Sequence, residues 1–310
     1  NQLKNGRRGP VLLEIPSDVS TAEFPHTEFD YKPVQPFRSA ASYEDVRDLV
    51  TAILKASNPV INAGQGVLYA EASDELVEFS ELTNIPVMTT LAGKSAFPEN
   101  HKLALGTGAH SSTLMCDHFL RKTDFVLGIG TSFTKSTFNA PMPTGITIAQ
   151  STNCVEDLNK QYRIDYGAIG DAKLVLRQLI DEVKRQEGPD GRGDVAGVVD
   201  EITRVKELFM TKWHPLLQSN EIPINPYRVF TELSKVLDVD NTIVTHDSGY
   251  PRDQIVPFWE TSKPRGYIGW GKSTQLGYGL GLAMGAKMAS PDRQVVNIMG
   301  DAAFGMSGMD

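Results

Sequence analysis

The sequence predicts an α/β fold built on doubly wound parallel sheets. Three observations carry that prediction. Helix and strand signals alternate along most of the chain; several apolar runs of strand length end in glycine; and the helical segments are amphipathic with recognisable caps. A Rossmann-like unit in the middle of the chain, followed by the opening of a second parallel sheet, accommodates this order.

The chain has 310 residues, 40% of them hydrophobic, and a formal net charge of -8. That length suggests two domains, or one domain with pieces of others, and the apolar fraction suffices for more than one core. The charges are interspersed and acidic on balance, which excludes a nucleic-acid surface, since phosphate binding needs clustered Lys and Arg. Cys116 and Cys154 are far apart with no CxxC. They fit a reducing, cytoplasmic compartment and give no metal signature. No apolar run has the length of a membrane span. The abrupt beginning and end lead us to expect an internal piece of a longer protein.

Taken in order, Gly9 to Val19 (GPVLLEIPSDV) contains an apolar run, Val11 to Ile15, that reads as a buried strand. A proline-bearing linker follows, with Pro25, Pro33 and Pro36. In SYEDVRDLVTAILKAS, Ser42 is a candidate N-cap and Val46, Leu49, Val50, Ile53 and Leu54 share one face. NPVINAGQG reads as a strand entering a glycine turn at Gly64 and Gly66, EASDELVEFSELT as a helix, IPVMTT as a strand and STLMCDHFLRKT as a helix. DFVLGIGTSF and GITIAQS are further strands, and DAKLVLRQLIDEVKR is a helix with Leu174, Leu176, Leu179, Ile180 and Val183 as its apolar positions. The polar, glycine-rich QEGPDGRGDVAG marks a boundary. Beyond it, DEITRVKELFMTKW reads as a connecting helix, and NPYRVFTELSKVL as a helix with Asn225 as N-cap and Pro226 at its first position. NTIVTHDSG is a strand, QLGYGLGLAMGAKMAS a helix, and RQVVNIMGDAAF a strand turning into a helix.

Candidate chemistry gathers at the ends of these strands. In VVNIMGDAAFGMSGMD, Gly300 lets the chain turn and places Asp301 at the carboxyl end of the strand, where open α/β sheets bind ligands. The N–H groups of Ala302, Ala303 and Phe304 would face the same point and attract phosphate. A carboxylate beside phosphates is a usual way to hold Mg²⁺. From these residues alone, Asp301 as a plain helix N-cap is the favoured alternative. Glycines 277, 279, 281 and 285 each cost a helix roughly 1 kcal/mol against Ala. Either a cofactor or neighbouring backbone lies against that helix, or it is simply a tightly packed buried helix, which composition alone favours. His246, Asp247 and Tyr250 stand at another strand end, with structural and catalytic roles for the histidine both open. The turns GQG and GIGTS are either tight packing turns or weak nucleotide signals, because neither completes GxGxxG with a downstream acid.

Together these stretches resemble the thiamine diphosphate-dependent enzymes of the acetolactate synthase superfamily. GPVLLEIPSDV resembles the end of that family's pyrimidine-binding domain, IPVMTTLAGKSAFPENHKLALGTGA with TDFVLGIGTSF its central domain, and QLGYGLGLAMGAKMASPDRQVVNIMGDAAF the opening of its diphosphate-binding domain. The resemblance implies a truncated pyrimidine-binding piece over 1–25, a linker over 26–41, a Rossmann-like central domain over 42–187, a connector over 188–221 and the start of the diphosphate-binding domain over 222–310. It implies thiamine diphosphate and Mg²⁺ as cofactors, and Asp301 as the first metal ligand. Gly300, Ala302 and Ala303 would lie along the diphosphate, as would Ser248, Gly249 and Tyr250. Leu276 would be the apolar prop under the bent cofactor, with the Thr274 carbonyl accepting from its amino group and Gly277 beside it. The glutamate that activates the cofactor is expected upstream of Asn1. Where acetolactate synthases carry Gln-His after the strand-end glycine, this chain has Tyr250 and Pro251, and TSFTKSTF replaces their FAD-associated Arg-Phe-Asp-Asp-Arg stretch, so FAD is not expected. GDAAFG is close to the Gly-Asp-Ser-Ala-Phe-Gly of oxalyl-CoA decarboxylases and 2-hydroxyacyl-CoA lyases, which makes an acyl-CoA enzyme the second reading. A non-catalytic nucleotide-binding module is a third. The implied substrate is a small 2-oxo acid or 2-hydroxyacyl compound, handled by a homodimer or homotetramer with no nucleic acid or membrane partner.

Overall fold

The computed structural model describes residues 3–23, 31–193, 197–269 and 275–308. A short helix, α1 (Ser17–Thr21), buries none of its residues. The segment before it corrects the sequence reading: Val11 to Ile15 form no strand, and Leu12 is 92% exposed. The apolar run has strand character, but among the described residues no sheet edge pairs with it, and an unpaired strand is not stable by itself.

The regular part opens with α2 (Tyr43–Lys55), whose N-cap Ser42 accepts from the Asp45 N–H. Then follow β1 (Pro59–Ala63), α3 (Gln65–Ala70), α4 (Ser73–Thr83), β2 (Val87–Thr89), β3 (Ala104–Thr107), α5 (Leu114–Lys122), β4 (Phe125–Ile129), β5 (Thr147–Thr152), β6 (Tyr166–Ile169) and α6 (Ala172–Glu187). The six strands are all parallel in the order β3-β2-β1-β4-β5-β6. This is the doubly wound order, and the chain reverses its direction across the sheet between β3 and β4. Right-handed crossovers therefore place α5 on the opposite face from α3 and α4. α2, α3 and α4 pack with α6, while α5 packs with the next helix, α7 (Val198–Leu217). On α6 the buried face includes Val175 as well as Leu176, Leu179, Ile180 and Val183, with Leu174 at its margin.

The second unit contains α8 (Pro226–Val236), β7 (Thr242–His246), α9 (Tyr250–Ile255), β8 (Tyr267–Ile268), α10 (Tyr278–Ala289), β9 (Gln294–Ile298) and α11 (Asp301–Ser307). Its three strands run parallel in the order β8-β7-β9. Asn225 caps α8 by accepting from Tyr227 N–H, with Pro226 at the first helical position, as the sequence predicts. α7 joins the two units: Ile202, Val205 and Phe209 enter the first core, and Phe209 stacks on Phe258 at 5.6 Å. A smaller core draws Leu91 and Ala109 together with Phe230, Val244, Ile255, Val256, Trp259 and Tyr267. No helix among the described residues is long and apolar enough to cross a membrane.

Where β1 and β4 lie side by side, their exit turns are in backbone contact. Gly64 N–H donates to Ile129 O at 2.8 Å, and Gly66 N–H to Gly130 O at 2.9 Å. A Cβ on Gly130, which sits at φ +60°, would lie 2.7 Å from the Gly66 Cα. We predict that Gly130→Ala lowers stability by more than about 3 kcal/mol, because it adds overpacking to backbone strain. Gly145→Ala, at φ +77° with nothing within 4 Å of the new Cβ, should cost only about 1 kcal/mol through strain alone. Urea midpoints of the two variants measure the difference.

Candidate functional site

β7 and β9 pair from Thr242↔Gln294 to His246↔Ile298, so their carboxyl ends lie level. Asp247 N–H extends the ladder by donating to Ile298 O at 2.9 Å. After β7 the chain turns through Ser248 and Gly249 (φ +85°) into α9; after β9 it turns at Gly300 into α11. Two strand-end turns and two helix starts thus share one edge, the usual ligand position in parallel sheets.

Asp247 organises this edge. Its side chain is fully buried, and among the described residues no cation pairs with it. Instead Oδ1 accepts from Ser248 N–H at 2.7 Å and Gly277 N–H at 3.2 Å, and Oδ2 from Gly279 N–H at 2.8 Å. The carboxylate therefore caps the positive end of α10, where a negative charge is most favoured. Gly277 adopts φ +88° at that cap. At Gly279 a Cβ would meet Asn297 Oδ1 and the His246 carbonyl at 2.8 Å and Asp247 Oδ2 at 3.0 Å. Two of the four helix glycines are therefore explained by backbone packing, whereas Gly281 and Gly285 face open space. Asn297 is itself fixed by Thr245 Oγ1 at 3.0 Å, and Ser307 Oγ donates to the Gly277 carbonyl at 2.9 Å, tying α11 to the same turn.

The predicted residues fall around this hub. Ser248 is buried; Gly249 and Tyr250 follow it, with Tyr250 largely exposed at the start of α9. Leu276 projects beside Gly277 and remains part-exposed. Gly300, Asp301 and Ala302 line the neighbouring turn, and Ala303 is buried beneath it. Asp301 is exposed, and among the described residues its carboxylate has no partner. The first-turn N–H groups of Ala302 and Ala303 have no carbonyl to bond within the helix. Phe304 corrects the expectation, because its N–H donates to Gly300 O at 3.0 Å and is not available to a ligand. Thr274 lies outside the described residues. The sequence reading noted Asp247 but gave it no role; its signal, an acid at the end of a β-branched strand, is visible without its partners.

His246 is fully buried and stacks on Tyr267 with ring centroids 5.4 Å apart. Burial pushes its pKa down to about 4, so the imidazole is neutral near pH 7. The Tyr267 phenol is pushed up, again by burial.

In the first sheet, the GQG and GIGTS glycines are packing turns whose N–H groups at Gly64 and Gly66 are taken by carbonyls of β4 and its exit turn. Beyond them the segment from Lys135 to Ile146 walls a cleft of about 1260 Å³, which Tyr162, Arg163 and Asp165 complete. Lys135 Nζ stands 4.5 Å from the Tyr162 ring centroid there.

Comparison with known proteins agrees with this division. Residues 46–179 match the family model for the thiamine pyrophosphate enzyme central domain, and residues 247–310 the C-terminal TPP binding domain. The chain is 31% identical to a probable acetolactate synthase large subunit of Methanocaldococcus jannaschii, over 98% of the chain and 52% of that protein. A second such subunit, from Methanococcus aeolicus, is 29% identical over 98% of the chain and 53% of its own length. Glyoxylate carboligase of Escherichia coli O157:H7 is 32% identical over 97% of the chain and 51% of that enzyme. The chain thus spans about half the length of the curated relatives it matches. With two parallel sheets in place, and both domain models matched in the family's order, the chain belongs to the thiamine pyrophosphate-dependent enzymes of the acetolactate synthase-like kind.

Proposed function

We propose that the protein carrying this chain uses thiamine diphosphate and Mg²⁺ to make or break carbon–carbon bonds beside the carbonyl of a 2-oxo acid. One observation carries the reading: the Ser248–Tyr250, Leu276–Gly277 and Gly300–Ala303 turns converge around the buried Asp247 carboxylate. The residues present fit the cofactor. Asp301 offers an exposed, unpartnered carboxylate oxygen to a hard cation, whose other ligands would come from the diphosphate and water. Ala302 and Ala303 offer first-turn N–H groups to phosphate. Leu276, held by its neighbour Gly277, would support the cofactor from beneath.

When bound, thiamine diphosphate supplies a carbon nucleophile and an electron sink for the bond change. This chain's part is to bind and orient. Asp247 fixes the turn that carries Leu276, and it does so through N–H groups already satisfied before any ligand arrives. His246, neutral and packed on Tyr267, is a structural platform and does not exchange protons near pH 7. The names of the relatives, acetolactate synthase and glyoxylate carboligase, support our preference for a 2-oxo acid over an acyl-CoA substrate. We do not invoke FAD. A homodimer or homotetramer in the cytoplasm belongs to the same proposal.

Two outcomes check this reading. In the protein carrying this chain, Asp301→Ala should weaken Mg²⁺-dependent binding of thiamine diphosphate at least 100-fold by calorimetry, leaving its melting temperature without ligand unchanged. Unchanged affinity would remove Asp301 from the metal site. Separately, the His246 pKa of about 4 in the folded chain lies below the unfolded value near 6.5. The unfolded state therefore binds the extra proton as pH falls through 6.5, and stability is lost progressively down to pH 4, by on the order of 3 kcal/mol. In His246→Phe that part of the acid sensitivity should vanish, as read from urea unfolding at a series of pH values.

A further inference from the structure

An ammonium and a carboxylate are buried together where the two sheets meet. Lys94 and Glu99 lie between β2 and β3, with side chains 1% and 7% exposed, and Lys94 Nζ is 2.6 Å from both Glu99 oxygens. Glu99 also reaches out of the first unit. Its Oε2 accepts from Thr261 N–H at 2.9 Å, and its own N–H donates to the Thr261 carbonyl at 2.8 Å. That reciprocal exchange joins residues 162 positions apart. One residue on from the lysine, Ser95 Oγ donates to the Tyr267 carbonyl at 3.2 Å, while Lys94 Nζ stands 5.3 Å from the Tyr267 ring centroid. The loop from 94 to 99 thus holds the segment that forms β8 by backbone, hydroxyl and charge.

Stability alone is a poor account of such a pair. Desolvation offsets most of the attraction, and a well-packed apolar pair of similar volume is often as stable or more so. What the pair holds is more informative. β8 pairs with β7 through Val244↔Tyr267 and Thr245↔Ile268, and Tyr267 stacks on His246, next to Asp247. Asp247 in turn accepts from the Gly277 and Gly279 N–H groups.

We propose that Lys94 and Glu99 are positioning residues for the site on the second sheet: through Thr261 and Tyr267 they fix the His246 stack, and with it the adjacent Asp247 carboxylate that holds the Leu276–Gly277 turn. The inference rests on reading that edge as the thiamine diphosphate site, but its test does not use the cofactor. Amide hydrogen exchange is measured on the Lys94→Met/Glu99→Leu double variant, which removes both charges together. The expected result is a melting temperature close to wild type, at least tenfold faster exchange at Gly277 and Gly279, and unchanged protection in α2 and α6. Wild-type protection at both glycines in the folded variant would overturn the proposal. Should the variant fail to fold, the wild-type protein decides. In native-state exchange under low denaturant, the amides of Glu99, Thr261, Gly277 and Gly279 should open as one unit, and separate opening of the two glycines would overturn it. Failure of the wild-type protein to bind thiamine diphosphate would instead count against the site reading and leave this measurement standing.

Discussion

A carboxylate sealed at the end of a parallel strand, and held among the described residues by backbone N–H groups instead of a cation, is the constraint on which the second unit depends. Burying an unpaired charge is costly unless hydrogen bonds replace its hydration. Asp247 meets that demand with three backbone N–H groups, two of them from the start of α10. Each partner is thereby fixed in turn. α10 must begin where it does, Gly277 must adopt its left-handed conformation, and Gly279 must lack a side chain. α11 then joins through Ser307. The turns proposed to face the cofactor are positioned by a bond network internal to the protein, which is the arrangement a binding site needs if the ligand is not to bear the ordering cost.

Glu99 shows the other way to bury a carboxylate. It faces Lys94 directly and adds a backbone exchange with Thr261. Asp247 orders a turn within one unit, whereas Glu99 links two. The two anions flank the His246–Tyr267 stack: Asp247 adjoins His246, and the Lys94 that Glu99 holds faces Tyr267. In this way the central sheet has a mechanical stake in the geometry of the second sheet, beyond the covalent connection that α7 provides.

Much of this architecture is legible in the sequence. The alternation of β1, β2 and β4 with amphipathic helices announces the doubly wound sheet although β5 follows β4 without one, and Ser42 and Asn225 mark helix starts by their side-chain chemistry. The strands that escape notice, β3, β6 and β8, are at most four residues long, and β3 and β6 each contain a glycine. They are held by pairing with neighbours and not by a pattern of their own. Val11 to Ile15 is the converse case, a strand-like pattern without a partner edge. The site residues are legible by type at the strand ends. The roles of Asp247 and Glu99 are not, because their partners lie 30, 32 and 162 residues away.

The glycine contact at Gly64, Gly66 and Gly130 also bears on how such a protein diversifies. The crevice at which open parallel sheets ordinarily acquire ligands is closed here by main chain touching main chain, at positions where any side chain collides. Substitution at that spot is penalised before it can be tested for usefulness. The stretch from Lys135 to Ile146, which walls the open cleft, is where the first unit has room for altered side chains. Room for a new ligand in the first unit therefore lies beside the sealed crevice and not inside it.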